Sequence, residues 1–175
     1  MTAHPTHTNA PSATQHDRAR YDDDRITAMG LFAEVIGGLN AKFSAQVGDH
    51  KLSMVEFEVL LRLARSPQQA LRMTDLATQT LLTTSGITRV VDRLERDGLV
   101  RRFACPTDRR GLLAGITDAG LARLNGVMPG HIDTIDRWFT GQLSDDELTT
   151  FLTILRKLRD IVRPGAVAGA RPAHR

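Results

Sequence analysis

Between residues 22 and 47, apolar side chains return at three- and four-residue steps: Ile26, Met29, Ala33, Ile36, Phe43 and Val47, with Asn40 filling one slot. This heptad-like seam predicts a long helix. Leu31, Phe32, Val35 and Leu39 widen it beyond one stripe. Asp22, Asp23 and Asp24 suit the helix N-terminus, where the macrodipole favours negative charge. Gly37 and Gly38 lower helix propensity in the middle, so packing must hold the segment together. A helix apolar on more than one side needs more neighbours than a small monomer offers, and dimerisation is the economical explanation.

The pattern then shortens. Ser53 to Glu56 has the spacing of a capping box and opens a helix carrying Val55, Val59, Leu60 and Leu63, stopped by Ser66-Pro67. Thr74 is placed to cap a short helix over 75–79, with Leu76 and Ala77 inward. Thr83 or Thr84 caps a longer helix that ends at Asp97, with Gly98 as its terminator. Residues 99–103 alternate weakly and read as a strand, 105–111 form a polar turn containing Pro106, and 112–116 form a returning strand. Thr117-Asp118 starts a helix running toward Phe139, with Pro129-Gly130 a point of kinking or interruption. Ser144 to Glu147 is a second capping box. It opens a last helix with Leu148, Phe151, Leu152, Leu155, Leu158, Ile161 and Val162 on one face.

The expected fold is therefore mainly α: a winged helix-turn-helix with a two-stranded β wing, and a helical dimerisation lobe built from the N- and C-terminal helices. Residues 1–20, rich in Thr, Ala, His and Pro, read as a disordered arm and 164–175 as a disordered tail. Residues 21–50 form the N-terminal dimerisation helix, 51–117 the winged unit, and 118–163 the C-terminal dimerisation helices.

Composition narrows the function classes. The chain has 175 residues, 41% of them hydrophobic and 25% charged, enough for a real core and too apolar for wholesale disorder. No stretch approaches the roughly 20 apolar residues of a membrane span. The N-terminus lacks the basic and apolar regions of a secretory signal, and one cysteine can form no internal disulfide, so a cytoplasmic protein is expected. The net charge is only +3, but its location is informative. Arg89, Arg93, Arg96, Arg101, Arg102, Arg109 and Arg110 face four acids between residues 83 and 111, so this unit carries the whole formal excess. All seven bases are arginine, which forks a phosphate or a guanine edge where lysine cannot. A solvated, ion-paired face would explain a charge run alone; its coincidence with a helix-turn-helix pattern points to duplex DNA.

Ala77 stands where two helices must approach closely, and Ile87 and Val90 follow at the spacing that buries the second helix. Leu81 occupies the turn position where glycine is usual. With Ile87, Val90, Val91 and Leu94 inward, Thr84, Ser85, Thr88, Arg89 and Asp92 lie near the outer face. Small hydroxyl residues at a helix N-terminus allow close approach to a DNA backbone, and unoccupied N–H groups there favour phosphate oxygens. Gly86 adds no bulk against a groove wall. Arg89 projects a turn further, within reach of a base edge. Arg93 and Arg109 fit phosphate contacts better than base reading, and Arg101 and Arg102 alternate on a strand, so one of them faces DNA.

Residues 81–120 resemble the MarR family of winged-helix transcription regulators. The resemblance rests on Ser85, Thr88, Arg89, Asp92 and Leu94, on Gly98-Leu99-Val100, on Asp108 with Arg110, and on Ile116-Thr117. It implies a homodimer whose recognition helices, through Thr84, Ser85, Thr88, Arg89 and Arg93, enter successive major grooves of a pseudo-palindromic operator. It also implies a wing that sets Arg110 in or beside the minor groove with Asp108 holding the guanidinium, next to Arg109. A small-molecule effector that lowers operator affinity, and hence a repressor, follows from the resemblance too; no pocket residue or effector identity does.

Other candidates carry less. Cys105 reads as a loop thiol at the base of the wing. His131 with Asp133 and Asp136 lacks the ligand spacing of a metal-sensing winged helix. His50 reads as a surface loop residue, and His4, His7 and His16 fall in the arm. No phosphate-binding loop, zinc-protease, nucleophile-elbow or dinucleotide fingerprint is present, so no catalytic residue, metal or cofactor is expected. The alternatives to a DNA-reading regulator are a metal-sensing repressor and a helical protein-interaction module without DNA readout.

Overall fold

The computed structural model describes residues 21–105 and 108–164, and of residues 108–110 only the backbone. The expected disordered arm and all but the first residue of the expected tail lie outside this range. The chain divides into two compact units, residues 1–38 and 39–175.

Within residues 21–38 the structure is the first part of helix α1, Asp24–Gly48. Its apolar side chains face solvent: Ile26, Met29, Leu31, Phe32, Val35 and Ile36 are all exposed. The start is set by Asp23, which accepts from the Arg25 backbone N–H at 2.8 Å and pairs with the Arg25 guanidinium.

The second unit contains the rest of α1 and helices α2 (Met54–Ala64), α3 (Met73–Thr80), α4 (Thr84–Arg96), α5 (Asp118–Trp138) and α6 (Asp145–Val162). Strands β1 (Ala70–Arg72), β2 (Val100–Cys105) and β3 (Asp108–Ile116) form an antiparallel sheet in the order β1-β3-β2. The β2-β3 hairpin is the expected wing, with longer strands than the pattern predicts: pairing runs from Val100↔Ile116 to Cys105↔Asp108, across an irregularity at Ala104/Cys105. The third strand is an addition. Ala70, Leu71 and Arg72 pair with Gly115, Ala114 and Leu113, closing the free edge of β3.

Both capping boxes form, Ser53 with Glu56 and Ser144 with Glu147. Two details differ from expectation. Helix α3 begins at Met73 with Arg72 as N-cap and no side-chain cap, and Thr74 lies inside it. Helix α5 is continuous through Pro129. Proline there gives up one helix hydrogen bond and crowds the carbonyl four residues earlier, yet the helix runs on to Trp138.

The core joins the C-terminal end of α1 to the winged unit. Val47, Val59, Leu60, Leu63, Leu76, Ile87, Val91, Leu94 and Val127 are fully buried in one cluster. Each such side chain stabilises the fold by roughly 1.5–3 kcal/mol relative to exposure. The face of α6 is a different case. None of its residues is buried, and Ile154, Leu158, Ile161 and Val162 are exposed.

Candidate nucleic-acid interface

Helices α3 and α4 meet through Leu76, Ala77 and Thr80 on one side and Ile87, Val90, Val91 and Leu94 on the other, all buried. The turn between them closes with Leu82 donating its N–H to the Ala77 carbonyl at 3.0 Å. That closure requires a left-handed residue, and Leu81 supplies it at φ 58°. At the far end of α4, glycine fills the equivalent role. Gly98 has φ 72°, and the N–H groups of Gly98 and Leu99 reach back to the carbonyls of Glu95 and Leu94.

Burial of one face of α4 fixes what the other displays. Thr84, Ser85, Thr88 and Arg89 are exposed together over its first two turns. Thr83 caps the helix by accepting the Gly86 N–H at 3.1 Å. The N–H groups of Thr84 and Ser85 precede any helical carbonyl that could accept them. Gly86 has a local function besides its small size: a Cβ there would lie 3.2 Å from the Thr83 hydroxyl oxygen, crowding the cap. Thr88 donates its hydroxyl to the Thr84 carbonyl at 2.8 Å.

The remaining arginines divide by partner. Arg93 is half exposed, and its Nε donates to Glu56 Oε1 at 2.8 Å. Burial pushes the Glu56 carboxyl up, but hydrogen bonds from Arg93 and Ser53 outweigh it, and the group sits below its usual range. Arg101 is exposed, with its guanidinium 5.5 Å from the Phe103 ring centroid. Arg102 points to the other side of the strand, into α4, and pairs with Asp92 and Glu95 at 2.7 Å each. The sequence pattern showed that the two arginines diverge but not that Arg102 has two acids waiting. The side chains of Asp108, Arg109 and Arg110 lie outside the described residues.

One expectation changes. Cys105 is no loop thiol: it ends β2, is buried, and receives an Arg72 Nη2 hydrogen bond at 3.7 Å. His131 is a core residue, packed between Phe43 at 5.3 Å and Phe57 at 4.5 Å between ring centroids. Gln46 donates its amide N–H to the Val127 carbonyl and so turns its oxygen to His131 Nδ1 at 3.2 Å, which assigns the ring proton to Nδ1. Burial lowers the His131 pKa. Among the described residues no three His, Cys, Asp or Glu side chains are grouped to hold a metal ion. His50 lies in the turn after α1, and its carbonyl accepts from Arg123 at 3.2 Å.

A helix-turn-helix followed by a β hairpin, with an exposed hydroxyl- and arginine-bearing helix tip, is the winged-helix DNA-binding fold. The profile of the MarR family matches residues 52–112. The regulator MhqR of Bacillus subtilis (strain 168) is 34% identical over 120 residues, spanning 69% of this chain and 81% of that one. Among solved structures, Sco3205 from Streptomyces coelicolor, a MarR family regulator in complex with DNA, is 28% identical with a TM-score of 0.73, covering 91% of this chain and 95% of that one. BpsR from Bordetella bronchiseptica, whose DNA binding is regulated by 6-hydroxynicotinic acid, is 26% identical with a TM-score of 0.67, covering 77% and 99%. The chain belongs to the MarR family. It is a transcriptional regulator and not an enzyme.

Proposed function

We propose that this regulator is a homodimeric, ligand-responsive repressor that reads a pseudo-palindromic operator in the cytoplasm. The observation that carries the reading is the division of α4. Ile87, Val91 and Leu94 are fully buried while Thr84, Ser85, Thr88 and Arg89 face outward. Thr84 and Ser85 offer N–H groups and hydroxyls to a phosphate, and Arg89 stands one turn on as the base reader. Arg93 presents its terminal amino groups to a neighbouring phosphate while Glu56 holds its Nε. Asp108, Arg109 and Arg110 at the wing tip take the minor-groove side.

The homodimer is supported by apolar helix surface with no cover in one copy. Phe32, Val35 and Ile36 on α1, and Ile154, Leu158, Ile161 and Val162 on α6, are exposed side chains that a second copy would bury. The regulation of BpsR by a small molecule supports an effector here, its identity open. A metal-sensing role has less support, since His131 is enclosed by aromatic rings.

The test is selection of duplexes from a random pool by the full-length protein, followed by titration of the enriched duplex over a salt series. The reading expects an inverted-repeat sequence, two chains per duplex and an affinity that falls steeply with salt. Failure to enrich any sequence over the starting pool would overturn it.

A further inference from the structure

Arg102 belongs to the arginine-rich segment, yet its side chain is only 17% exposed. Its Nη1 donates to Glu95 Oε2 at 2.7 Å. Its Nη2 lies 2.7 Å from Asp92 Oδ1 and donates to the Thr88 carbonyl at 3.1 Å. Its backbone N–H donates to the other Glu95 oxygen at 2.8 Å. Thr88, Asp92 and Glu95 are spaced four and three residues apart, so they line one stripe of α4, and a single strand residue grips two full turns of it. Thr88 and its neighbour Arg89 are the outward residues of the helix tip.

We infer that Arg102 is a positioning residue for sequence reading: it locks the wing strand to the recognition helix and touches no DNA itself. This rests on the reading of α4 as the DNA-reading helix. The grip needs a planar fork, since the two terminal nitrogens serve three acceptors in different directions. A lysine carries the same charge but cannot hold both carboxylates and the carbonyl in one geometry. With the fork gone, α4 keeps its buried face but loses the contact that fixes its rotation against β2. Arg89 then meets the base edges at a variable angle, while groups that meet phosphates tolerate the change. The clamp also offsets part of the negative charge of Asp92 and Glu95, two acids on a helix that must approach a polyanion.

The experiment compares full-length wild type with Arg102→Lys, on the duplex that wild type enriches from a random pool and on a shuffled duplex of equal composition, across a sodium chloride series. The expected result is at least a tenfold loss in the ratio of enriched to shuffled affinity, with shuffled-duplex affinity and salt slope as in wild type. A role confined to stability would lower the active fraction and weaken both duplexes equally, leaving the ratio intact. A retained ratio overturns the inference, whether Arg102 serves stability alone or meets a phosphate directly, since Arg102→Lys keeps the positive charge and with it the salt slope. If thermal melting shows Arg102→Lys to be unfolded, Glu95→Gln, which keeps an oxygen for the Arg102 backbone N–H, is read by the same ratio of enriched to shuffled affinity. Wild type that enriches nothing would instead strike at the reading of α4, whereas wild type that discriminates beside an equally discriminating variant strikes at the clamp alone.

Discussion

Leu81 holds a left-handed backbone at φ 58° with its side chain 73% exposed. The conformation costs a non-glycine residue about 1–2 kcal/mol, and no packing offsets it. Leu81→Gly is expected to raise stability by roughly 1 kcal/mol, after allowance for the looser unfolded chain, and thermal melting checks it. Arg89 carries a different expectation. Arg89→Ala should reduce discrimination between the enriched duplex and its variants by about 1–3 kcal/mol at the base it reads, measured by competition binding. His131 provides a pH test. Its burial lowers the folded pKa below the ordinary 6.5, so the unfolded chain takes up the proton first as pH falls. The stability it contributes is complete above about 6.5 and declines as pH drops from there toward the lower folded value. His131→Gln should flatten that decline, seen in denaturant midpoints at about pH 7.5 and about pH 5.5.

At the scale of elements, Gly120 in the first turn of α5 shows how closely two pieces approach. A Cβ there would collide with the Leu99 carbonyl oxygen. Gly120→Ala should therefore cost about 2 kcal/mol or more, because the obstacle is backbone and cannot swing away. Features that depend on a few neighbouring residues were readable in the sequence. Ser53 with Glu56, Ser144 with Glu147, Thr83 and Thr117 all cap helices, and the alternation at Arg101 and Arg102 predicts their opposite directions. Features that depend on distant residues were not. Strand β1 is three residues long after Pro67, too short for a period of two to register, and it exists because Leu113, Ala114 and Gly115 offer it a ladder. Likewise Arg93 looked like a free phosphate contact until its partner Glu56, 37 residues earlier in the chain, came alongside. Of the site, the outward tip of α4 was legible because burial of Ile87, Val90, Val91 and Leu94 dictates it. The clamp on Arg102 was hidden because a strand and a helix must first be folded together.

For the whole molecule, the open apolar helix faces predict an association equilibrium. Phe32→Glu and Leu158→Glu, each tested alone, should shift the protein to monomers by sedimentation velocity and lower operator affinity with the winged unit still folded. Thr117 ties α4 to α5. Its hydroxyl donates to the Gly98 carbonyl at 2.7 Å and accepts the Gly120 N–H at 3.0 Å, and its backbone N–H donates to the Leu99 carbonyl at 3.0 Å. The terminator of α4 and the first turn of α5 thus share one stiff knuckle. A pivot of about 5° at the distal end of α5, an arm of about 31 Å, sweeps that knuckle through about 2–3 Å. In the proposed dimer such a shift would be handed to α4 at the end opposite its reading tip.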